Sequence, residues 1–478
     1  MTSVSVNAAP ALGSCSGFPE VGVGLQTIFA LSCTGWSDLD TPLIYYFSSI
    51  TSGSTLTLSN PSQKSSVTTL IAGQSTPTTI IATIRDSLLA STTSNFTLNI
   101  SVPLTLSVSD TTSVIETRIS EGDSGLAAIL ISGTASFIFS NNSKLNASEQ
   151  ASAVSSLVAT TGSLVNNSVQ STSAQVNAPL AVLQVVTSGP STSLNSAAQT
   201  SVLNLLDTIT TNPLNTFSTT STTSTLSVLG GVLQGSNIQG STTTSGSAPS
   251  GATGDRITGV LQNIAQGVLA SSVPGAAPKT MSSRGMTLTV QSRLSSNILG
   301  SVTKSTSGAN VKISPSLPLV SDNAVGVMLS TVNGLYPTRS TDTTTVTVDV
   351  FQDKKNLAAS NLAKPFKIAI PAQILSEEYE YVCRFWNSSI NNYSTNGLSV
   401  GSSPNVGELA CESTHLTSFS GEASFRVQVN TFGKDDINEK AFSYENPVMV
   451  LVSSMLIIYT VCAIVFSRCY HPSLKLEE

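Results

Sequence analysis

The 478-residue chain holds two histidines, and one of them, His415, stands two positions before a hydroxyl in His415-Leu416-Thr417. An imidazole of near-neutral pKa can take the proton of Thr417 Oγ1. The freed oxygen then attacks the carbonyl of Leu416, the residue immediately before it. The acyl group moves from nitrogen to oxygen, and water hydrolyses the ester left between Leu416 and the Thr417 side chain. This is nucleophilic catalysis within one chain, and it needs a strained turn that brings the hydroxyl onto the carbonyl. It happens once per molecule, so no enzyme with turnover is expected.

Other chemistries are poorly supplied. The sequence has no Ser/His/Asp set, no metal-ligand spacing and no phosphate-binding loop, so no cofactor is expected. Asp38 and Asp40 have no further acidic neighbours in sequence and read as a turn rather than a calcium site. Only 10% of residues are charged, 5% are aromatic, and Lys and Arg are not clustered, which excludes a nucleic-acid partner. The net charge of -6 is spread thinly and points to no particular partner.

The elements around the triplet must position it. Residues 13 to about 107 read as β structure. Thr27–Ser32, Leu43–Phe47, Ser54–Leu58, Thr78–Ile84 and Phe96–Val102 are short β-branched or aromatic runs punctuated by turn residues. Between about 145 and 300, Ala151–Val165, Leu180–Thr187, Ser193–Thr211 and Asp255–Ser272 carry apolar residues at helical spacing. The Ser/Thr/Gly-rich stretches Thr216–Thr225 and Gly235–Gly254 read as mobile loops. Strands return at Met286–Gln291, Ala324–Ser330, Thr343–Phe351, Phe366–Ile370 and Ala423–Val429. Val346, Val348 and Val350 alternate with Thr345, Thr347 and Asp349, the pattern of a half-buried strand.

Val448–Phe466 is free of charge over 19 residues. As a helix it spans about 28 Å, close to the hydrocarbon thickness of a bilayer. Asp435, Asp436, Glu439 and Glu445 precede it, while Arg468, His471 and Lys475 follow. Positive charge after the span puts the short tail in the cytosol and the bulk outside or in the lumen. Glycosylation sequons at Asn95, Asn99, Asn141, Asn146, Asn166, Asn387 and Asn392 agree with that side. Cys15, Cys33, Cys383 and Cys411 form two local groups that suit an oxidising compartment, while Cys462 and Cys469 lie in or beside the span. The N-terminus has neither a basic start nor an apolar run, so no signal peptide is visible and a longer parent chain is expected.

The neighbourhood of the triplet resembles the GPS motif, the self-cleavage site that closes the GAIN domain of polycystins and adhesion receptors. The matching positions are Cys383 with Trp386, then Cys411 four residues before His415, then Leu416, Thr417 and Phe419. The single cysteine pair is more similar to the polycystin version than to the four-cysteine receptor version. A second tryptophan expected between the cysteines is missing, and Tyr393 stands where it could substitute. Cys15, then Phe29-Ala-Leu-Ser-Cys33-Thr-Gly-Trp36, then Asp38, Asp40, Pro42, Tyr45 and Phe47 resemble the receptor-for-egg-jelly (REJ) module of the same family. The resemblance implies disulfides Cys15–Cys33 and Cys383–Cys411, and cleavage between Leu416 and Thr417. It also implies that the fragments stay together because the downstream piece remains a strand of the sandwich.

The expected architecture is a multidomain α+β membrane-anchored chain. It comprises a REJ-like, fibronectin-like β-sandwich (1–110), a helical Ser/Thr-rich region like GAIN subdomain A (111–300), and a β-sandwich (301–432) with the GPS motif at 383–425. A stalk (433–446), a single transmembrane helix (447–467) and a cytosolic tail (468–478) follow. The expected function is that of a self-cleaving surface receptor. Its partners would be the membrane, an extracellular ligand or neighbouring surface, and a separate polycystin-type channel subunit. The competing expectation is a glycosylated adhesive or structural surface protein whose motif is inert.

Overall fold

The structure is a computed structural model. It describes the chain except residues 1–6, 52–53, 60, 75–76, 141–142, 169–176, 191–193, 213–216, 240–250, 321–322, 337–343, 354, 358, 374–378, 403–406, 426–446 and 470–478. The expected stalk and nearly all of the expected tail therefore lie outside the described residues, as do Asn141, His471 and Lys475. Two compact units are present, Met1–Ser376 with Glu380–Ser424, and Glu377–Tyr379 with Phe425–Glu478.

The first unit opens with two small sheets. β1 (Ser14–Phe18), β3 (Ile28–Thr34) and β6 (Ser66–Leu70) form one, in the order β1-β3-β6. β2 (Val21–Val23), β4 (Ile44–Thr51), β5 (Ser54–Thr57), β7 (Thr78–Arg85) and β8 (Ser91–Ser101) form the other, ordered β2-β8-β7-β4-β5. Alternate residues such as Phe29, Leu31, Phe47, Ile80, Ile84, Leu98 and Ile100 are buried. Period-two patterning therefore places one face of β3, β7 and the end of β8 in the core. β1, β2 and β6 are absent from the expected strands because their Ser/Gly/Thr-rich sequences carry little apolar alternation.

Seven helices follow: α1 (Val108–Ser120), α2 (Ser124–Ile138), α3 (Ala147–Ser168), α4 (Asn177–Thr187), α5 (Ser196–Thr211), α6 (Thr219–Gln239) and α7 (Gly251–Ala270). The Ser/Thr run expected as a mobile loop, 216–225, is instead helical from Thr219 on, the start of α6. Ser218 caps that helix reciprocally with Ser221, each side chain accepting the other's backbone N–H at 3.1 and 2.9 Å. Thr223 and Thr225 return their hydroxyls to carbonyls four residues back. Buried Thr222 and Leu226 tie the turn to the core. Polar hydroxyls satisfied inside the helix do not break it when packing holds it. The second expected loop, Gly235–Gly254, is helical on both flanks, and its centre lies outside the described residues.

The helices lie against the second β layer. On α7, Ile257, Val260, Leu261, Ile264, Ala265 and Val268 form one buried stripe at helical spacing. That stripe packs on β10 (Met286–Leu294), β13 (Ala324–Val332) and β14 (Thr345–Gln352). With β9 (Lys279–Ser283), β15 (Lys355–Asn356), β17 (Tyr379–Asn387), β18 (Asn392–Ser394) and β21 (Ser418–Phe425), these strands build an eight-stranded sheet. Its order is β18-β17-β21-β14-β13-β10-β9, with β15 on β14. The opposing five-stranded sheet is β11 (Val302–Lys304), β12 (Asn310–Lys312), β16 (Phe366–Pro371), β20 (Glu408–Ser413) and β19 (Leu398–Val400), ordered β11-β12-β16-β20-β19. Between β10 and β11 lies the one-turn helix α8 (Ser295–Ile298).

β14 corrects one expectation: all eight of its residues are buried, not every other one. Val346, Val348 and Val350 face the core between the two sheets. The other face is covered by α7, whose Gln262 donates to Asp349 at 3.1 Å. A helix over the sheet buries polar positions that look solvent-facing in sequence.

In the second unit, α9 (Pro447–Cys469) spans 23 residues and coincides with the expected membrane segment. Its described side chains, Val450 to Phe466, are all exposed. Among the described residues, no helix is long and apolar enough to cross a membrane.

Candidate functional site

The triplet lies where the chain changes sheets. β20 ends at Ser413 in the five-stranded sheet, and β21 begins at Ser418 in the eight-stranded one. Packed sheets stand about 10 Å apart, so residues 414–417 must leave one ladder and enter the other within four positions. Their backbone groups find partners outside any regular strand. Thr414 N–H donates to Gly397 O at 3.2 Å, and Leu362 N–H donates to Thr414 O at 3.1 Å. Leu416 N–H donates to Ala359 O, and Val348 N–H to Thr417 O, both at 3.2 Å. The strained turn expected from the chemistry is not expressed as a left-handed or cis residue within the triplet. Instead, distant strands and loops hold the bend in place.

The disulfide Cys383–Cys411 ties β17 to β20 across the two sheets immediately upstream. Trp386, three residues after Cys383, stacks on Tyr336 with ring centroids 4.5 Å apart and meets Tyr393 edge-on at 5.3 Å. Tyr393 is the register partner of Trp386 on β18.

The side chains of the triplet are half-buried. The His415 ring meets Phe385 edge-on at 4.3 Å and sits 6.0 Å from Phe419. Burial lowers its pKa below the ordinary histidine value, which favours the neutral imidazole that a base must be. Nε2 is buried and has no hydrogen-bond partner among the described residues. Thr417 Oγ1 donates to Trp386 O at a long 3.4 Å. Base and nucleophile are therefore neighbours in chain and in fold but not hydrogen-bonded to each other.

A cavity of about 530 Å³ opens beside the triplet. Leu416, Thr417 and Ser418 line one side, and Thr258, Tyr336 and Asp349 line others. Asp349 is buried, and desolvation raises its pKa even though Asn356 and Gln262 donate to its two oxygens. Burial also pushes the Tyr336 phenol upward, while it donates to Asp255 at 3.1 Å.

Several contributors to this site carry no motif-level signal. Ser413, Gly397, Ala359 and the Trp386 carbonyl act through backbone position or a single hydroxyl. Only Ser413, two residues before the histidine, could have been singled out by spacing.

Elsewhere, Cys15 and Cys33 are disulfide-bonded register partners on β1 and β3. Trp36 is half-buried and covers Gly13, where a side chain would collide with the indole. Among the sequon asparagines, Asn95, Asn99, Asn146, Asn166 and Asn392 are exposed and Asn387 is half-buried. Asn146 also caps α3, accepting the Glu149 N–H at 3.0 Å. Asp38 and Asp40 do acquire an acidic neighbour through the fold, since the carboxylates of Asp38, Asp40 and Asp86 lie within 4.8 Å of one another. Asp38 accepts the Asp40 N–H, and Asp86 accepts those of Leu88 and Ala90, which is turn chemistry.

Comparison with known families gives two matches: the REJ domain over residues 1–132 and GAIN subdomain B over residues 277–420. The REJ match takes in α1 and most of α2 as well as the eight strands before them. The second match begins just before β9 and ends inside β21. No curated protein matches the chain.

Proposed function

From the REJ domain and GAIN subdomain B that the chain matches, we propose a polycystin-like, cell-surface receptor-like protein that cleaves its own backbone between Leu416 and Thr417. The observation that carries this reading is the bend at the sheet crossing. There a buried imidazole nitrogen with no partner among the described residues stands two residues before a weakly held hydroxyl that lines a cavity. Rotating Thr417 about χ1 releases its hydroxyl from the Trp386 carbonyl. His415 Nε2 takes the proton, Oγ1 attacks the Leu416 carbonyl, and the Thr417 nitrogen leaves as an amine after receiving that proton. The cavity admits the water that then hydrolyses the ester. Charge development on the attacked carbonyl needs donors nearby, and Leu416 is already fixed through its own N–H on Ala359.

Scission leaves residues 417–478 without a covalent tie to residues 1–416. Both disulfides, Cys15–Cys33 and Cys383–Cys411, lie wholly upstream of the bond. Strand β21 would keep the pieces together, lying between β17 and β14 in its sheet. Such a joint transmits force until the strand is pulled out, which suits a receptor whose outer part binds a ligand or neighbouring surface.

Membrane anchoring is part of the same reading. It is supported by the uncharged run Val448–Phe466 within the 23-residue α9 and by basic residues after it. Release from membranes by alkaline carbonate would overturn it. An external glycosylated region and a separate channel-type partner remain within the proposal.

The deciding experiment is a gel of the chain expressed through a secretory host. Wild type should give two fragments that split between residues 416 and 417. Thr417→Ala should give one full-length band, and Thr417→Ser should restore two. A single wild-type band favours the second reading, an adhesive surface protein, which is supported by the Thr417 hydroxyl pointing to Trp386 O rather than to His415.

A further inference from the structure

We propose that Ser413 is the positioning residue that sets the tautomer of His415, holding the proton on Nδ1 so that Nε2 is the base. The inference deepens the self-cleavage reading and rests on it for its kinetic consequence, though not for its structural one.

A hydroxyl has one proton to give and two lone pairs to offer. Ser413 Oγ lies 2.7 Å from His415 O, 3.2 Å from His415 N and 3.4 Å from His415 Nδ1. A carbonyl only accepts, so the hydroxyl proton belongs to the short contact with His415 O. A backbone N–H only donates, so the His415 amide occupies one lone pair. The remaining lone pair faces Nδ1. That contact is attractive only if Nδ1 brings the proton, which leaves Nε2 bare.

The opposite tautomer would set the lone pair of Nδ1 against that of Oγ. It would also leave a buried N–H on Nε2, an atom with no partner in the structure. The serine is 0% exposed, so bulk solvent does not compete for its hydroxyl. Gly397 lies near Nδ1, where a Cβ added to it would stand 3.3 Å from that nitrogen. Phe385, edge-on at 4.3 Å, limits ring rotation that would exchange the two nitrogens. A single hydroxyl thus bonds both ends of the His415 backbone and selects which ring nitrogen can act. The order of events follows: Nε2 accepts the Thr417 hydroxyl proton, the imidazolium carries it, and the same Nε2 returns it to the departing Thr417 nitrogen.

The test uses the full chain. In the Thr417→Ala background, which cannot cleave, ring ¹⁵N spectra of His415 should show a protonated Nδ1 and a bare Nε2. His471→Gln removes the other histidine signal. Adding Ser413→Ala should turn this into a mixture of tautomers, and Ser413→Thr, which keeps the hydroxyl, should restore it. In cleavage-competent chains, Ser413→Ala should slow scission roughly tenfold by thinning the competent population, with Ser413→Thr recovering most of the rate. A protonated Nε2 in the parent, or a tautomer unchanged by Ser413→Ala, overturns the inference. Failure of the wild type to cleave sinks only the self-cleavage reading, because the spectra judge Ser413 independently.

Discussion

Retention of the two fragments after scission should depend on one side chain, Phe419. It is 0% exposed, is the third residue after the cleaved bond, and faces Val346 of β14 in the core between the sheets. Truncating a fully buried phenylalanine to alanine costs about 3–5 kcal/mol, counting lost transfer energy and the cavity left behind. In an intact chain that loss falls on folding stability. In a cleaved chain it falls on the non-covalent joint that β21 makes. At about 1.4 kcal/mol per factor of ten, Phe419→Ala should weaken fragment association by two to three and a half powers of ten.

What remains is too little to compensate. The buried Thr347–Ser418 hydroxyl pair at 2.7 Å and the Arg384–Glu422 ion pair at 3.0 Å persist, but neither replaces buried apolar area. The assay places a tag at each end of the full chain and isolates cleaved protein in detergent under non-reducing conditions. After dilution, the fraction of the 417–478 piece still co-purifying is followed over time. The Thr417→Ala/Phe419→Ala chain, which stays whole, reports folding separately. If cleaved Phe419→Ala holds its fragment as long as wild type does, then β21 is not the joint and the argument from its burial is refuted.

Cleavage should be less acid-sensitive than an ordinary histidine base allows. Burial lowers the His415 pKa, so the half-maximal rate should lie below about pH 6.5, the ordinary value. A half-maximal rate at or above that value contradicts this. The same shift has a stability sign. The unfolded state binds the proton first, so the uncleavable Thr417→Ala chain should lose stability as pH falls from the ordinary value toward the lowered one. A His415→Gln version should lack that loss in a denaturant series. Gly397→Ala should both destabilise and slow scission. Its φ of +74° costs a side chain about 1–2 kcal/mol, and the new Cβ would press on Thr414 Oγ1 at 2.9 Å and His415 Nδ1 at 3.3 Å. Chemical denaturation of the uncleavable chain and a cleavage time course read the two effects apart; a wild-type time course would refute the second.

The sequence alone determined the reactive order His415-Leu416-Thr417, because an acyl shift onto the preceding carbonyl is defined by covalent adjacency. It also determined the strands around Val346–Val350 and the α7 stripe, because side-chain period is a local property of the backbone. The cysteine frame was legible through resemblance, and both expected disulfides are present.

Only the tertiary structure decided what covers each face. β14 looks half-exposed until α7 is laid over Thr345, Thr347 and Asp349, and the Ser/Thr run of α6 looks like a loop until Thr222 and Leu226 find a core. The bend itself belongs to the same class. The crossing between sheets, the Ala359, Gly397 and Val348 bonds that pin it, and the hydroxyl of Ser413 against Nδ1 all depend on which strands come together. Apart from Ser413, those partners come from other strands and loops, with Gly397 the nearest in sequence. Local pattern reports the period of a segment. The neighbour that satisfies its polar groups is chosen by packing across the whole domain.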